Sequence, residues 1–269
     1  MENTTGQEKF TGNYFEWIKD ELTGIEGFAW GLLGFGCGLN VMTFAIGKID
    51  WVAFITLLAT CAGFFCTVMM GAGAWRTFKA EDGTLKQRRI VGHSINGLLG
   101  AISVVGYIIV NLYARHWWSI IDQLIFFSAI DIPLMLRWRT WGRGKDQIVR
   151  KSTIKTWLLA IIGALVSWAI LYPIGVHLND AQPFFDSLTL SIGATASLLY
   201  LKRYSGNYIL WICSNMVNVG LWTSALVQGT SHQALPMLIM SLLYVVSSIY
   251  GKINFRISNN NRVRDIIVK

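Results

Sequence analysis

The chain has 269 residues, of which 53% are hydrophobic and 14% carry a charged side chain. This composition is too apolar for the surface of an ordinary soluble protein of that length. The net charge of +8 would suit a nucleic-acid-binding protein, but the basic residues occur in separate short segments rather than on one helix or patch. The composition therefore indicates a membrane protein and excludes a nucleic-acid partner.

Eight apolar stretches of about 20 residues divide the chain, and about 20 apolar residues are what a helix needs to cross a hydrocarbon core roughly 30 Å thick. The predicted spans are 26–47, 51–74, 90–113, 117–137, 155–175, 183–202, 207–228 and 232–252. They use well over half of the chain and leave no room for a separate soluble domain. Before them, Phe10, Tyr14, Trp17 and Ile18 predict a short amphipathic helix on the cytoplasmic surface.

Lysine and arginine alternate between the segments that separate these spans. Five segments hold 21 of the 23 basic residues: 1–25, 75–90, 137–155, 202–207 and 252–269. The other segments hold only Lys48 and Arg115. Because cytoplasmic loops of membrane proteins are enriched in Lys and Arg, the pattern predicts a multi-pass protein with both termini in the cytoplasm. Its basic loops are expected to contact anionic membrane lipids.

Two portions of the chain share features in the same order. Leu58-Ala59-Thr60 corresponds to Gly193-Ala194-Thr195, and Val105-Gly106-Tyr107 corresponds to Val219-Gly220-Leu221. The predicted fold is an all-α integral membrane protein with eight transmembrane helices, in which one extra N-terminal helix precedes a 3+1+3 parallel repeat of three-helix bundles. The predicted parts are a cytoplasmic segment 1–25, the extra helix 26–47, a first bundle 50–138, a basic loop with the linker helix 139–176, a second bundle 183–255, and a basic cytoplasmic tail 256–269.

The seventh span carries the clearest indication of function. Trp211, Asn215, Asn218 and Trp222 occur at i, i+4, i+7 and i+11, so all four lie on one face of a helix. Asn side chains also join neighbouring membrane helices by hydrogen bonds, which is the simpler explanation for a single Asn. Two Asn between two Trp on one stripe favour a ligand site.

Other spans add polar and aromatic residues at helical spacing. The fourth carries Gln123, Phe127 and Asp131, and the eighth carries Tyr244. The third span adds Asn96, Gly100, Ser103 and Tyr107. Two interpretations of Asp131 stay open, namely a proton or cation site and a salt bridge to the Arg137–Arg139 cluster.

Charged groups are scarce inside the spans. Trp118 and Asp122 lie nearer the outer end of the fourth span, and Asp186 lies near the start of the sixth, where it suits a helix cap. No Lys or Arg lies well inside a span, so the pattern predicts a neutral or cationic ring-sugar ligand without a phosphate. The sequence shows no P-loop, no zinc motif and no catalytic triad, and we expect no metal, cofactor or catalytic residue.

These residues resemble the PnuC-type nicotinamide riboside transporters, which are related in fold to the SWEET sugar transporters. The similarity covers about residues 50–255 and is most specific from Asp186-Ser187-Leu188-Thr189, through Lys202-Arg203, to Asn207-Tyr208-Ile209-Leu210-Trp211, Asn215, Asn218 and Gly220. Gln123 with Phe126-Phe127, and Ser248-Ile249-Tyr250-Gly251, also match. The first span is an addition, since typical members have seven.

The resemblance implies a transporter of the bacterial inner membrane that carries nicotinamide riboside by facilitated diffusion, with a separate cytoplasmic kinase trapping the product. The predicted substrate-binding residues are Trp211, Asn215, Asn218, Trp222, Gln123, Trp118, Tyr244 and Phe127. A sugar or another vitamin or nucleoside is the alternative substrate. A membrane-embedded lipid-modifying enzyme is the alternative class, although Asp122 and Asp131 lie on different helix faces. The sequence leaves monomer and homo-oligomer open.

Overall fold

The computed structural model describes residues 10–79, 85–140, 150–202, 204–260 and 263–265. Within them, eight helical spans are long and apolar enough to cross a membrane. They are α2 (Gly27–Ile46), α3 (Trp51–Gly71), α4 (Ile95–Ala114), α5 (Trp117–Phe126) continued by α6 (Ile132–Leu136), α7 (Ile154–His177), α8 (Pro183–Leu201), α9 (Asn207–Gln228) and α10 (Ala234–Asn260). A short helix, α1 (Tyr14–Leu22), precedes them. The predicted number of spans is confirmed.

Some predicted segments fall partly outside the described residues. These are parts of the terminal segments 1–25 and 256–269, residues 80–84 of the first bundle, part of the basic loop in 139–176, and Arg203. The side of the molecule that carries the Lys- and Arg-rich segments is called the basic side below, and the other is called the opposite side.

A three-stranded antiparallel sheet was not predicted. It consists of β1 (Gly73–Lys79), β2 (Leu85–Val91) and β3 (Val263–Asp265), in the order β1-β2-β3. The hydropathy pattern merged the apolar ends of β1 and β2 with the neighbouring spans. Strand pairing instead satisfies the backbone of this segment, so the second span ends at Gly71 and the third begins at Ile95.

Several helix starts follow from local sequence. The Asn13 side chain accepts the Glu16 N–H at 2.9 Å in a reciprocal capping box. Asp50 caps α3 by accepting the Ala53 N–H at 2.8 Å. A side-chain oxygen at these positions satisfies a backbone donor that has no partner within the helix. Sequence near the helix ends therefore sets where α1 and α3 begin.

Helix α1 packs on the protein through one tryptophan. Trp17 is fully buried, and its indole N–H donates to Ser94 Oγ at 3.0 Å. Its ring lies 5.5 Å from that of Trp138, centroid to centroid. The predicted helix is present, but protein rather than lipid covers its Trp17 face.

Six of the spans form a ring. Along the chain α3 packs on α4 and α4 on α5, and likewise α8 packs on α9 and α9 on α10. The ring closes through two further interfaces, α5 with α8 and α3 with α10. Helix α7 packs on α8, and the extra helix α2 packs on α3 and α10. This packing accommodates the predicted bundles and linker, while the symmetry of the repeat stays a prediction.

The fourth span contains one turn of π-helix, Phe127–Asp131, between α5 and α6. Such a turn inserts one residue into the helical repeat and often accompanies function. Asp131 is fully buried there, and neither carboxylate oxygen has a hydrogen-bond partner. Gly100 leaves room for this group, since a methyl at Gly100 would collide with the Asp131 carboxylate. The predicted salt bridge to the Arg137–Arg139 cluster is therefore wrong, and the proton or cation site stays a prediction.

Candidate functional site

A cavity lies inside the ring, between α3, α4 and α5 on one side and α9 and α10 on the other. Its empty volume is about 820 Å³, including space open to solvent. The aromatic side chains that line it are Tyr107, Phe126, Tyr208, Trp211 and Tyr244. The amide and carboxyl side chains that line it are Asp122, Gln123, Asn215 and Asn218.

Aromatic contacts cross the cavity from one half of the ring to the other. Phe126 on α5 and Trp211 on α9 meet edge to face, with ring centroids 5.6 Å apart. The hydroxyls of Tyr107 on α4 and Tyr244 on α10 share a hydrogen bond. Gly63 on α3 makes room for this pair, because a methyl there would lie 2.5 Å from the Tyr244 hydroxyl. Both halves of the ring thus contribute aromatic surface.

The amides leave hydrogen-bonding capacity facing the cavity. Asn215 Nδ2 donates to Ser248 Oγ at 3.0 Å. Gln123 and Asn218 are half-buried, and no hydrogen bond to another described residue engages either side chain. The indole N–H of Trp211 is buried without a hydrogen-bond partner. Buried polar groups normally find partners, so these groups are available to a polar ligand.

The cavity brings together five of the eight predicted site residues, namely Gln123, Trp211, Asn215, Asn218 and Tyr244. The first three residues of the predicted stripe on α9 therefore share one cavity. Helical spacing was sufficient to find them because α9 runs as a regular α-helix from Asn207 to Gln228.

The other three predicted residues lie outside the cavity lining, and their role in binding stays a prediction. Trp222 is 2% exposed and packs edge to face on His116, with centroids 5.0 Å apart. Trp118 is buried, and its indole packs against Gly175 of α7. Phe127 begins the π-turn, and its neighbour Phe126 lines the cavity instead.

Among the aromatic and acidic residues of the lining, the predicted site does not include Asp122, Phe126, Tyr107 and Tyr208. Tyr107 was on the polar face of the third span, and Phe126 and Tyr208 were in the stretches that carry the family resemblance, so both signals were available. For Asp122 the sequence indicates only a position nearer the outer end of the fourth span, and this position does not predict the direction of the side chain.

A second polar cluster lies near the opposite side. One potential metal-ligand atom from each of His116, Asp180 and Asp186 lies within 4.8 Å of the others, and all three residues are buried. Asp186 accepts the backbone N–H groups of Trp118 at 2.7 Å and Ser119 at 2.9 Å. The Ser119 hydroxyl donates to the same carboxylate. Asp186 is thus a helix cap, as predicted, but it caps α5 and not its own helix.

The neighbouring carboxylate of Asp180 has its own backbone donors. Burial alone would raise the pKa of Asp180, but His116 and the N–H groups of Gln182 and Trp117 outweigh it and hold that pKa below its ordinary value. The Trp117 and Gln182 N–H groups lie 3.0 and 2.8 Å from the carboxylate oxygens. Both acids therefore hold together the chain segments at this end, and their burial is explained without an ion.

The lining of the cavity carries few charged groups. Among the described residues, Asp122 is the single formally charged side chain in the lining, and no Lys, Arg or His lines it. A phosphate group is usually held by Arg, Lys or several backbone N–H groups. The arrangement suits a ring with an attached sugar, held by aromatic faces and amides.

Comparisons with known proteins show the family of the chain. The sequence model of a family described as nicotinamide mononucleotide transporters matches residues 89–256. The nicotinamide riboside transporter PnuC of Neisseria mucosa is 25% identical over 224 residues, which is 81% of this chain and 76% of that protein. The protein of the same name from Escherichia coli is 21% identical over 178 residues, which is 55% of this chain and 72% of that protein. A crystal structure of the vitamin B3 transporter PnuC matches with a TM-score of 0.71 and 22% identity, over 93% of this chain and all of that chain (100%). At that identity the structural match shows a shared fold.

Proposed function

The chain belongs to the nicotinamide mononucleotide transporter family, and from this premise we propose that it carries nicotinamide riboside across the bacterial inner membrane. The family is one of transporters, so the prediction that the chain is not an enzyme is confirmed. The family description includes a phosphate in the substrate, whereas the names of the relatives do not. The cavity provides a physical basis for choosing between the two substrates.

The observation that carries the proposal is a cavity with aromatic and amide groups and, among its described lining residues, no cationic side chain. The faces of Trp211 and Phe126 suit the electron-poor pyridinium ring. The free amides of Gln123 and Asn218 suit ribose hydroxyls, since an amide both donates and accepts. The phosphate of the mononucleotide would lose its hydration here without gaining a cationic partner.

The proposed mode of transport is facilitated diffusion. The two predicted bundles, 50–138 and 183–255, would rock around the cavity, which both of them line. Both termini would lie in the cytoplasm. A separate cytoplasmic kinase would then convert the imported riboside to its phosphate, which the cavity binds poorly, and would so retain it in the cell. Uptake of labelled riboside into proteoliposomes should saturate without ATP, and an imposed proton gradient should leave the rate unchanged.

Calorimetry on the purified protein tests the substrate. The riboside should bind, the mononucleotide should bind at least about tenfold more weakly, and a neutral hexose should not compete. In Asn218→Ala the riboside should lose about tenfold in affinity, because a hydrogen bond to a buried ligand is removed. Cys213→Ala is the matched control, since Cys213 is on the same helix but exposed. Equal binding of riboside and mononucleotide would refute the proposed substrate.

A further inference from the structure

Asp122 is an acidic residue of the cavity lining, and its carboxylate has no partner among the residues that the structure describes. It is half-buried on α5 and lines the cavity beside Gln123. No hydrogen bond or ion pair with another described residue engages its oxygens. This separates it from Asp186, whose carboxylate receives two backbone N–H groups and a hydroxyl.

The Asp122 carboxylate packs closely against the backbone of α8. A methyl group at Gly193 would lie 2.6 Å from Asp122 Oδ1 and 3.1 Å from Oδ2. The absence of a side chain at Gly193 therefore gives the carboxylate its space between α5 and α8. A side chain at Gly193 would displace the carboxylate from this position.

Asp122 also shares a helix face with an aromatic ring of the cavity. Phe126 follows it at i+4 on α5, so the two side chains are neighbours along the helix. Phe126 in turn meets Trp211, with centroids 5.6 Å apart. A planar ring held against these aromatic groups would lie within reach of the carboxylate.

An uncompensated carboxylate inside a membrane protein is costly, and such groups generally have a partner or a function. No cation from the described chain meets Asp122, so a cationic ligand is the natural complement. We propose that Asp122 is the counter-ion of the bound substrate and selects the positively charged pyridinium riboside over uncharged analogues. This inference rests on the proposed function and specifies the charge of the substrate that the site takes.

The reduced, uncharged dihydropyridine analogue of the riboside is the test ligand, since it differs little in shape but lacks the positive charge. Wild-type protein should bind the pyridinium form about tenfold or more tightly than the reduced form. In Asp122→Asn the affinity for the pyridinium form should fall about tenfold or more, while that for the reduced form stays within about twofold. Asp122→Glu, which keeps the charge, should keep the preference.

Controls separate the possible failures. Asp50→Asn removes a carboxylate from the start of α3 and keeps an N-cap side chain, so it should leave both affinities unchanged. If Asp122→Asn does not fold, Gly193→Ala displaces the carboxylate and should reduce the preference by itself. An Asp122→Asn protein that keeps the wild-type preference, or that loses both ligands equally, overturns this inference alone. Wild-type protein that binds neither form overturns the proposed function as well.

Discussion

Two helix interfaces close the ring, α5 with α8 and α3 with α10. They differ in the chemistry of their specific contacts and in the side of the molecule near which these contacts lie. The interface between α5 and α8 is joined near the opposite side, where the Asp186 carboxylate accepts backbone N–H groups of Trp118 and Ser119. The interface between α3 and α10 is joined near the basic side by the close approach of Gly71 and Gly251. A methyl at Gly71 would lie 2.7 Å from the Gly251 Cα.

The two interfaces also differ at the end that lies away from these contacts. Near the basic side, α8 meets the fourth span through apolar packing in which Ile130 and Tyr200 take part. Near the opposite side, a second cavity with an empty volume of about 590 Å³ is lined by residues of α2, α3 and α10, Thr56 and Pro236 among them. The α5–α8 interface therefore has hydrogen bonds near the opposite side and apolar packing near the basic side. The α3–α10 interface has close glycine contact near the basic side and a cavity near the opposite side.

A polar network strengthens the α3–α10 interface near the glycines. Asn254 Nδ2 donates to the Gly71 carbonyl oxygen at 2.9 Å. Arg89, which is ion-paired with Glu26, donates to Asn254 Oδ1 at 2.9 Å. The network connects β2, the start of α2 and both helices of the interface. Glycine contact and hydrogen bonding thus act together near the basic side of the α3–α10 interface, whereas the Asp186 carboxylate joins α5 to α8 near the opposite side by hydrogen bonds.

The largest effect is expected for Asp186→Ala. Its removal leaves the buried N–H groups of Trp118 and Ser119 without an acceptor, and each unsatisfied donor costs about 1–3 kcal/mol. We expect the free energy of unfolding to fall by about 3 kcal/mol or more, measured by denaturant titration in detergent. Asp186→Asn keeps one acceptor oxygen and should lose less. Equal stability of all three proteins would contradict the assigned role.

Gly71→Ala tests the glycine contact. The added methyl would lie 2.7 Å from the Gly251 Cα and 3.0 Å from its backbone N, so the helices must separate. Overpacking of this kind costs about 1–3 kcal/mol, and the same titration should show a loss of about 2 kcal/mol. Gly163→Ala on α7 is the control, because an added methyl there meets nothing within 4 Å. Wild-type stability in Gly71→Ala would show that the interface is looser than described.

Asn254→Ala tests the hydrogen bonds of the same interface. It removes the donor to the Gly71 carbonyl and the acceptor of Arg89, both buried, at a cost of about 1–2 kcal/mol. Lys252→Ala, at an exposed position of α10, should be nearly neutral. A loss no greater than that of the Lys252 variant would mean that glycine packing alone joins α3 to α10.

The smallest effect is expected for Ser119→Ala. It removes one hydroxyl donor from Asp186 and leaves the two backbone donors in place, so about 1 kcal/mol should be lost. Ser128→Ala is the matched control and should be nearly neutral. The Ser128 residue is exposed, and its hydroxyl donates to the Leu124 carbonyl oxygen of the same span. A loss in Ser119→Ala as large as that in Asp186→Ala would show that the hydroxyl, and not helix capping, holds the interface.

Helical spacing in the sequence predicts which residues share a face of a regular helix, but it does not predict which part of that face lines the cavity. Trp211, Asn215 and Asn218 were found because α9 keeps one period along its length. Phe126 and not Phe127 lines the cavity, because Phe126 follows Asp122 at i+4 and Gln123 at i+3 on the regular helix α5. Trp222 was included as the last member of the stripe, although a stripe carries no information on where a cavity ends.

The number and type of the spans, the short first helix and the chemistry of the site were determined by the sequence alone. They depend on local properties, since hydropathy, charge and helical period are written in neighbouring residues. Only the tertiary structure decided that Asp186 caps α5, that Gly193 makes room for Asp122, and that Trp118 and Trp222 lie outside the cavity. These outcomes depend on how each helix is rotated against its neighbours, and that rotation is set by contacts between residues far apart in the chain.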